Sequence, residues 1–147
     1  MLQEDKMKAT GKRTIEIKDK NGNLKDQIDL TNLVVDDGLE FIASRMKDAS
    51  SSVMSHMAIG TGSSAAAASD TTLGTEAARV ALTSTTVTAN AVAYVASFAA
   101  GTGTGAITEA GILNNSSGGS LLCRTVFSVI NKGASDSMTI TWTITIS

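Results

Sequence analysis

Residues 139–146 read Thr-Ile-Thr-Trp-Thr-Ile-Thr-Ile. Ile140, Trp142, Ile144 and Ile146 alternate with Thr139, Thr141, Thr143 and Thr145. A period of two places these sets on opposite faces of a β-strand. β-Branched and aromatic side chains suit that pleated surface, and a threonine face can hydrogen-bond across strands or across an interface. The chain stops one residue later, so this strand is expected either to end a sheet or to pair with a neighbouring molecule.

The same alternation recurs upstream. Ala91–Ala99 puts Val92, Tyr94, Ala96 and Phe98 on one face. Arg79–Thr88 reads as one strand with Val80 and Leu82 inward, joined to the next by a turn at Asn90. Met54–Ile59, Ile107–Leu113 and Leu121–Ile130 read as further strands between Gly- and Ser-rich breaks. Near the start, Arg13–Asp19 and Leu24–Leu33 flank Asn21-Gly22, the favoured dipeptide of a two-residue hairpin. One helix interrupts the strands over about 37–48. Asp36 or Asp37 can cap it, and Leu39, Ile42, Ala43 and Met46 recur at helical spacing as its inward stripe.

Seven or eight short strands with a single helix predict an all-β fold, a two-sheet sandwich of jelly-roll or Greek-key kind with one short amphipathic helix. The predicted organisation is a flexible N-terminal arm over 1–12 and one domain over 13–147. That domain comprises the charged hairpin 13–33, the helix and the strands of 53–147. The expected core is Ile42, Met46, Leu82, Tyr94, Phe98, Phe127, Ile140, Trp142 and Ile144.

Charge is distributed unevenly. Of 26 Lys, Arg, Asp and Glu residues, 19 lie in the first 50 positions. A soluble monomer intersperses charge over its whole surface. A surface of Thr, Ser, Asn and Gly instead points to a protein that lies against other chains. Net charge is −2 and aromatics are 3% of residues, a poor basis for phosphate neutralisation or base stacking, so no nucleic-acid partner is expected. No apolar run is long enough to span a bilayer, and the first residues do not have the form of a secretory leader.

Catalytic chemistry lacks its parts. His56 is the only histidine and Cys123 the only cysteine. Cys123 lies mid-strand among Leu121, Leu122 and Val126, which suits an inert thiol. Asp19-Lys20-Asn21-Gly22-Asn23 has the alternating oxygens of a calcium loop, but Leu24 and Leu30 stand where such a loop needs Gly and Glu. Gly101–Gly105 precedes a strand and not the helix that a phosphate site requires. No enzyme activity, cofactor or metal is expected. Glu76, Arg79, Glu109, Arg124 and Lys132 stand isolated in a neutral background, and each must be exposed or paired. Arg124 is the residue that most needs a carboxylate, from Glu109 or Glu76.

Several motifs carry a resemblance. Met57-Ala-Ile-Gly-Thr-Gly62 leads through a small-residue loop to Asp70-Thr-Thr-Leu-Gly-Thr-Glu-Ala-Ala-Arg79. Ile107-Thr-Glu-Ala-Gly-Ile-Leu-Asn114, Leu121-Leu-Cys-Arg-Thr-Val-Phe127 and Lys132 follow. In this order they resemble small structural proteins of tailed bacteriophages, namely capsid decoration (cement) proteins and related β-domains of tail and fibre proteins. The resemblance covers 57–147 and, more loosely, the entry to the helix. It implies a β-sandwich without catalytic residues, made in the host bacterial cytoplasm and placed on the outer capsid surface of the virion. Its partners would be the major capsid protein and itself, as a trimer. Contacts with those partners are expected at Lys6, Lys8, Lys12, Arg13, Glu76, Arg79, Glu109 and Arg124. Rival readings are a tail, neck, baseplate or fibre component, and a module binding host-surface glycans.

Overall fold

The computed structural model describes residues 7–147. The expected arm over 1–12 therefore lies partly outside the described residues, and Lys6 lies there entirely. Nine strands and one helix follow in the order β1 (Ala9–Lys18), β2 (Leu24–Val34), α1 (Asp36–Lys47), β3 (His56–Gly60), β4 (Glu76–Ala81), β5 (Ser84–Thr88), β6 (Ala91–Phe98), β7 (Gly105–Leu113), β8 (Leu121–Lys132) and β9 (Ser137–Ile146). All pairings are antiparallel, in the order β4-β3-β7-β8-β2-β1-β9-β6-β5.

The fold is mostly β, a single curled sheet. Its bend lies in β2. The greater part of that strand pairs with β1, but only Leu33 and Val34 reach β8, opposite Arg124 and Cys123. Curling brings β4 towards β6 and encloses the larger of two cores. Ile15, Phe98, Ile140 and Trp142 come to it from one side of the bend, and Met57, Ile59, Ile112 and Phe127 from the other. Tyr94 and Ile144 are buried with them, as the alternation required.

Several expectations need correction. β1 begins at Ala9, so 9–12 belong to the sheet and not to an arm. Lys8 extends the register by exchanging backbone hydrogen bonds with Ser147, at 2.6 and 2.8 Å. β9 neither ends the sheet nor waits for a neighbouring molecule, because β1 flanks it on one side and β6 on the other. The single strand expected over 79–88 is two. Leu82 N–H donates to Ser55 O and Thr83 N–H to Val95 O, so the chain changes partners within two residues. Leu82 sits at that crossing and is only half-buried. The turn at Asn21-Gly22 is also wider than two residues. Asp19 N–H donates to Asn23 O, Gly22 alone has positive φ (81°), and Asp19 Oδ1 accepts the N–H groups of Asn21 and Asn23. The oxygens that suggested calcium close a hairpin turn.

The helix is present but rotated. Met46 is 78% exposed and so is not core, Leu39 is 46% exposed, and Ala43 is exposed as well. Ile42, also expected in the core, is half-buried beside Phe41. The only fully buried helix residue is Gly38. A Cβ there would lie 2.1 Å from Leu122 O. The missing side chain lets the helix backbone settle on β8, and that contact outranks the apolar stripe in setting the rotation. Neither Asp36 nor Asp37 caps the helix, since Val35 holds the N-cap position. Asp37 Oδ2 instead accepts the Leu121 N–H at 2.7 Å, a second tie to β8. Gly38→Ala is expected to destabilise by about 1–3 kcal/mol through overpacking. Thermal denaturation checks it, and an unchanged midpoint would mean that the helix is not seated through Gly38.

Candidate functional site

Three charged residues of the small-residue motifs, Asp70, Glu109 and Arg124, converge on one cluster. Glu109 on β7 and Arg124 on β8 are near-diagonal neighbours, since Arg124 pairs with Gly111. Both are buried, at 0% and 2% exposure. Arg124 Nη2 lies 2.9 Å from Glu109 Oε2, and Nε donates to the same oxygen at 3.0 Å. Arg124 Nη1 reaches Asp70 Oδ2 at 2.8 Å, and Nη2 donates to Ser64 O at 3.0 Å.

Glu109 also accepts three backbone N–H groups, from Gly62 (2.8 Å), Gly74 (2.8 Å) and Thr75 (2.6 Å). The two side chains therefore tie down both ends of the connection between β3 and β4. Leu73 supplies its apolar anchor against Leu113, Leu121, Ala58 and Val35, in a second small core. Glycine is required where the loop meets the carboxylate, because a Cβ at Gly62 would fall 2.4 Å from Glu109 Oε1. Burial pushes the Glu109 carboxyl pKa up. The three N–H donors and the Arg124 guanidinium outweigh that and hold it below the ordinary glutamate value.

Glu76, the other expected partner of Arg124, pairs instead with Arg79 at 2.6 Å. Arg79 Nη1 donates to the carbonyls of Asn115 and Gly118, both at 2.9 Å, and so holds the turn between β7 and β8 against the β4 edge. Of the expected contact residues, Lys8, Lys12 and Glu76 are exposed. Glu109 and Arg124 are spent inside the chain and present nothing to a partner.

Arg13 is also buried, at 3% exposure, on the face of β1 shared with Ile15 and Ile17. Its guanidinium lies over the rings of Trp142 (5.5 Å to the centroid) and Phe127 (5.8 Å) and donates to Thr31 O. No carboxylate pairs with it among the described residues, its Nε has no partner, and burial lowers its pKa to about 10. Its parity with Ile15 and Ile17 was the available signal, obscured by the expectation that arginine faces water.

Lys132 is fully buried as well, donating from Nζ to Ala99 O at 2.9 Å and Asp136 O at 2.8 Å. Asp136 accepts from Lys25 Nζ and the Gly133 N–H, both at 2.7 Å. Asp70 and Asp136 were not singled out from the sequence, because each reaches its cation only through the fold.

Cys123 and His56 do not form a dyad. Burial raises the Cys123 thiol pKa well above its ordinary value, and β7 stands between the strands carrying Cys123 and His56. His56 Nδ1 instead meets the adjacent Ser55 hydroxyl at 2.8 Å.

The outward face of the β2-β1-β9-β6-β5 portion has a different character. Thr141, Thr143 and Thr145 stand opposite Thr14, Lys12 and Thr10 on one side, and Val95, Ala93 and Ala91 on the other. An open depression of about 970 Å³ is lined by Thr10, Lys12, Thr14, Thr31, Thr143 and Thr145, among others. Beyond it, β5 is an edge strand exposed at all of its residues. No Asp, Glu, Lys or Arg occurs between Arg79 and Glu109, so β5 and β6 carry no charge at all. The β9, β6 and β5 part of this face offers hydroxyls, backbone groups and small apolar surface. Among the described residues no helix is long and apolar enough to cross a membrane. No protein-family model, curated protein or solved structure matches this chain.

Proposed function

We propose that this chain is a non-enzymatic structural protein of a tailed-bacteriophage virion, a decoration protein that binds the assembled head from outside. The carrying observation is the charge-free, hydroxyl-rich part of that face formed by β9, β6 and β5, which ends in the unprotected β5 edge. Exposed edges are normally blunted by charge, proline or a bulge. Ser84–Thr88 has neither charge nor proline, and its pairing with β6 runs without a register shift. A surface of this kind suits repeated contacts on a symmetric shell, where a single charge would recur at every equivalent site. In this reading the two portions of the curled sheet are the layers of a β-sandwich of jelly-roll or Greek-key kind. The partners are the major capsid protein and further copies of this chain.

The activity would be thermodynamic. A protein that binds only the assembled shell stabilises it by mass action. The buried Glu109–Arg124 cluster serves this role indirectly by holding long loops rigid, so that binding costs little ordering entropy.

Immunogold labelling of intact virions with an antibody to this chain tests the assignment. Gold distributed over the whole head is expected. Gold confined to one vertex or to the tail would replace it with a neck, tail, baseplate or fibre role.

A further inference from the structure

The helix has the residue pattern of a packed element but turns its apolar stripe to solvent. Leu39, Ala43 and Met46 are exposed, and Met7, 65% exposed, lines one groove with them, Ile42 and Ile146. Rotation cannot hide the stripe, because Gly38 and Asp37 fix the opposite side of the helix to β8. Contiguous apolar surface of this kind marks an interaction site.

We infer that the groove is a self-association surface, in which α1 packs antiparallel on α1 of a second copy across a two-fold axis near Ala43. The flanking charges select that occupant. Asp36, Glu40 and Lys47 fall at i, i+4 and i+11, so they share one flank of the stripe, acidic at its N-terminal end and basic at its C-terminal end. Among the described residues Lys47 forms an ion pair only with the exposed Asp48, at 3.5 Å. An antiparallel partner lays its Lys47 end over Glu40 and Asp36, and symmetry makes the contact twice. It also opposes the two helix dipoles. Ala43, the smallest residue of the stripe, allows close approach at the centre, with Leu39 and Met46 interdigitating to either side.

The inference rests on this surface and not on the virion reading, and the unit it builds is two-fold where the resemblance implied a trimer. Sedimentation equilibrium on the purified full chain tests it. The expected result is a reversible dimer. Met46→Glu and Leu39→Glu should each weaken it at least about tenfold with the circular dichroism spectrum unchanged, since both positions are exposed. Glu40→Lys or Lys47→Glu alone should weaken it about fivefold, and the double exchange should restore it to within about twofold. A monomer at about 0.1 mM overturns the proposal. So does a trimer, or an oligomer indifferent to Met46→Glu. A monomer that dimerises only after residues 1–6 are deleted also overturns it and assigns the groove to the chain's own N-terminus. None of these outcomes bears on where gold falls on a virion.

Discussion

Arg124→Ala is expected to lower stability by about 3–5 kcal/mol, the cost of leaving a buried charge without its partner. For a chain of this length that corresponds to a fall in Tm of about 10 °C or more. Arg124 is the sole cation among the described residues that touches the Glu109 carboxylate, and both groups are cut off from water. Removing the guanidinium also releases Asp70 and the Ser64 carbonyl. The damage should therefore centre on 61–75. Amide exchange at Gly62, Gly74 and Thr75 should accelerate before the rest of the sheet opens. A variant with native exchange at those three amides would show that the loop holds without the pair.

The pH dependence follows with a definite sign. Glu109 has a folded pKa below its unfolded value, so the unfolded state binds the proton more readily. Its contribution is complete above the ordinary glutamate pKa and is lost as pH falls through the lower folded value. Wild type should thus lose stability on acidification through that window, and Glu109→Gln should show a flatter profile there from a lower starting point. Denaturant midpoints measured across the acidic range check this. Parallel profiles for the two proteins would remove Glu109 from the account.

Trp142→Ala is the second large effect, expected to cost about 3–5 kcal/mol. Trp142 is completely buried in the middle of β9, and its Nε1–H donates to Asn32 Oδ1 at 3.0 Å. Truncation leaves a cavity, an unpaired acceptor on Asn32, and an Arg13 guanidinium that has lost one of its two aromatic faces. As the only tryptophan, Trp142 reports on its own surroundings. Native emission should be blue-shifted and should move to the red on unfolding. Solvent-like emission from the native protein would contradict the burial.

Much of the fold was legible because its signals are local. Threonine and isoleucine alternate along β9 whatever lies beside it, and that alternation correctly buries Ile140, Trp142 and Ile144. The Glu109–Arg124 pair was legible for a different reason. A lone arginine among apolar strand residues must find a carboxylate, and few were available. The choice between Glu109 and Glu76 was not legible, because it depends on the register of β7 on β8.

The failures share a cause. The strand over 79–88 was read as one because its residues suit a strand throughout, and nothing local marks the exchange of partners at Leu82 and Thr83. The helix was placed correctly along the chain but with the wrong face inward. Its apolar periodicity was outweighed by Gly38, whose value lies in a close approach to Leu122 O that only the packed structure contains. Arg13 was assigned to the surface by residue type, although its parity with Ile15 and Ile17 placed it inside.

By itself, then, the sequence determined the all-β character, the extent of the helix, the buried parity of β9 and the uneven charge. Each follows from side-chain periodicity or composition within a short window. Only the tertiary structure decided the strand order, the bend in β2, the internal place of β9, the rotation of α1 and the carboxylates that neutralise Arg124. These depend on hydrogen bonds and close contacts between residues far apart in the chain, and backbone groups that are chemically alike leave no mark in the sequence of which partner they will take.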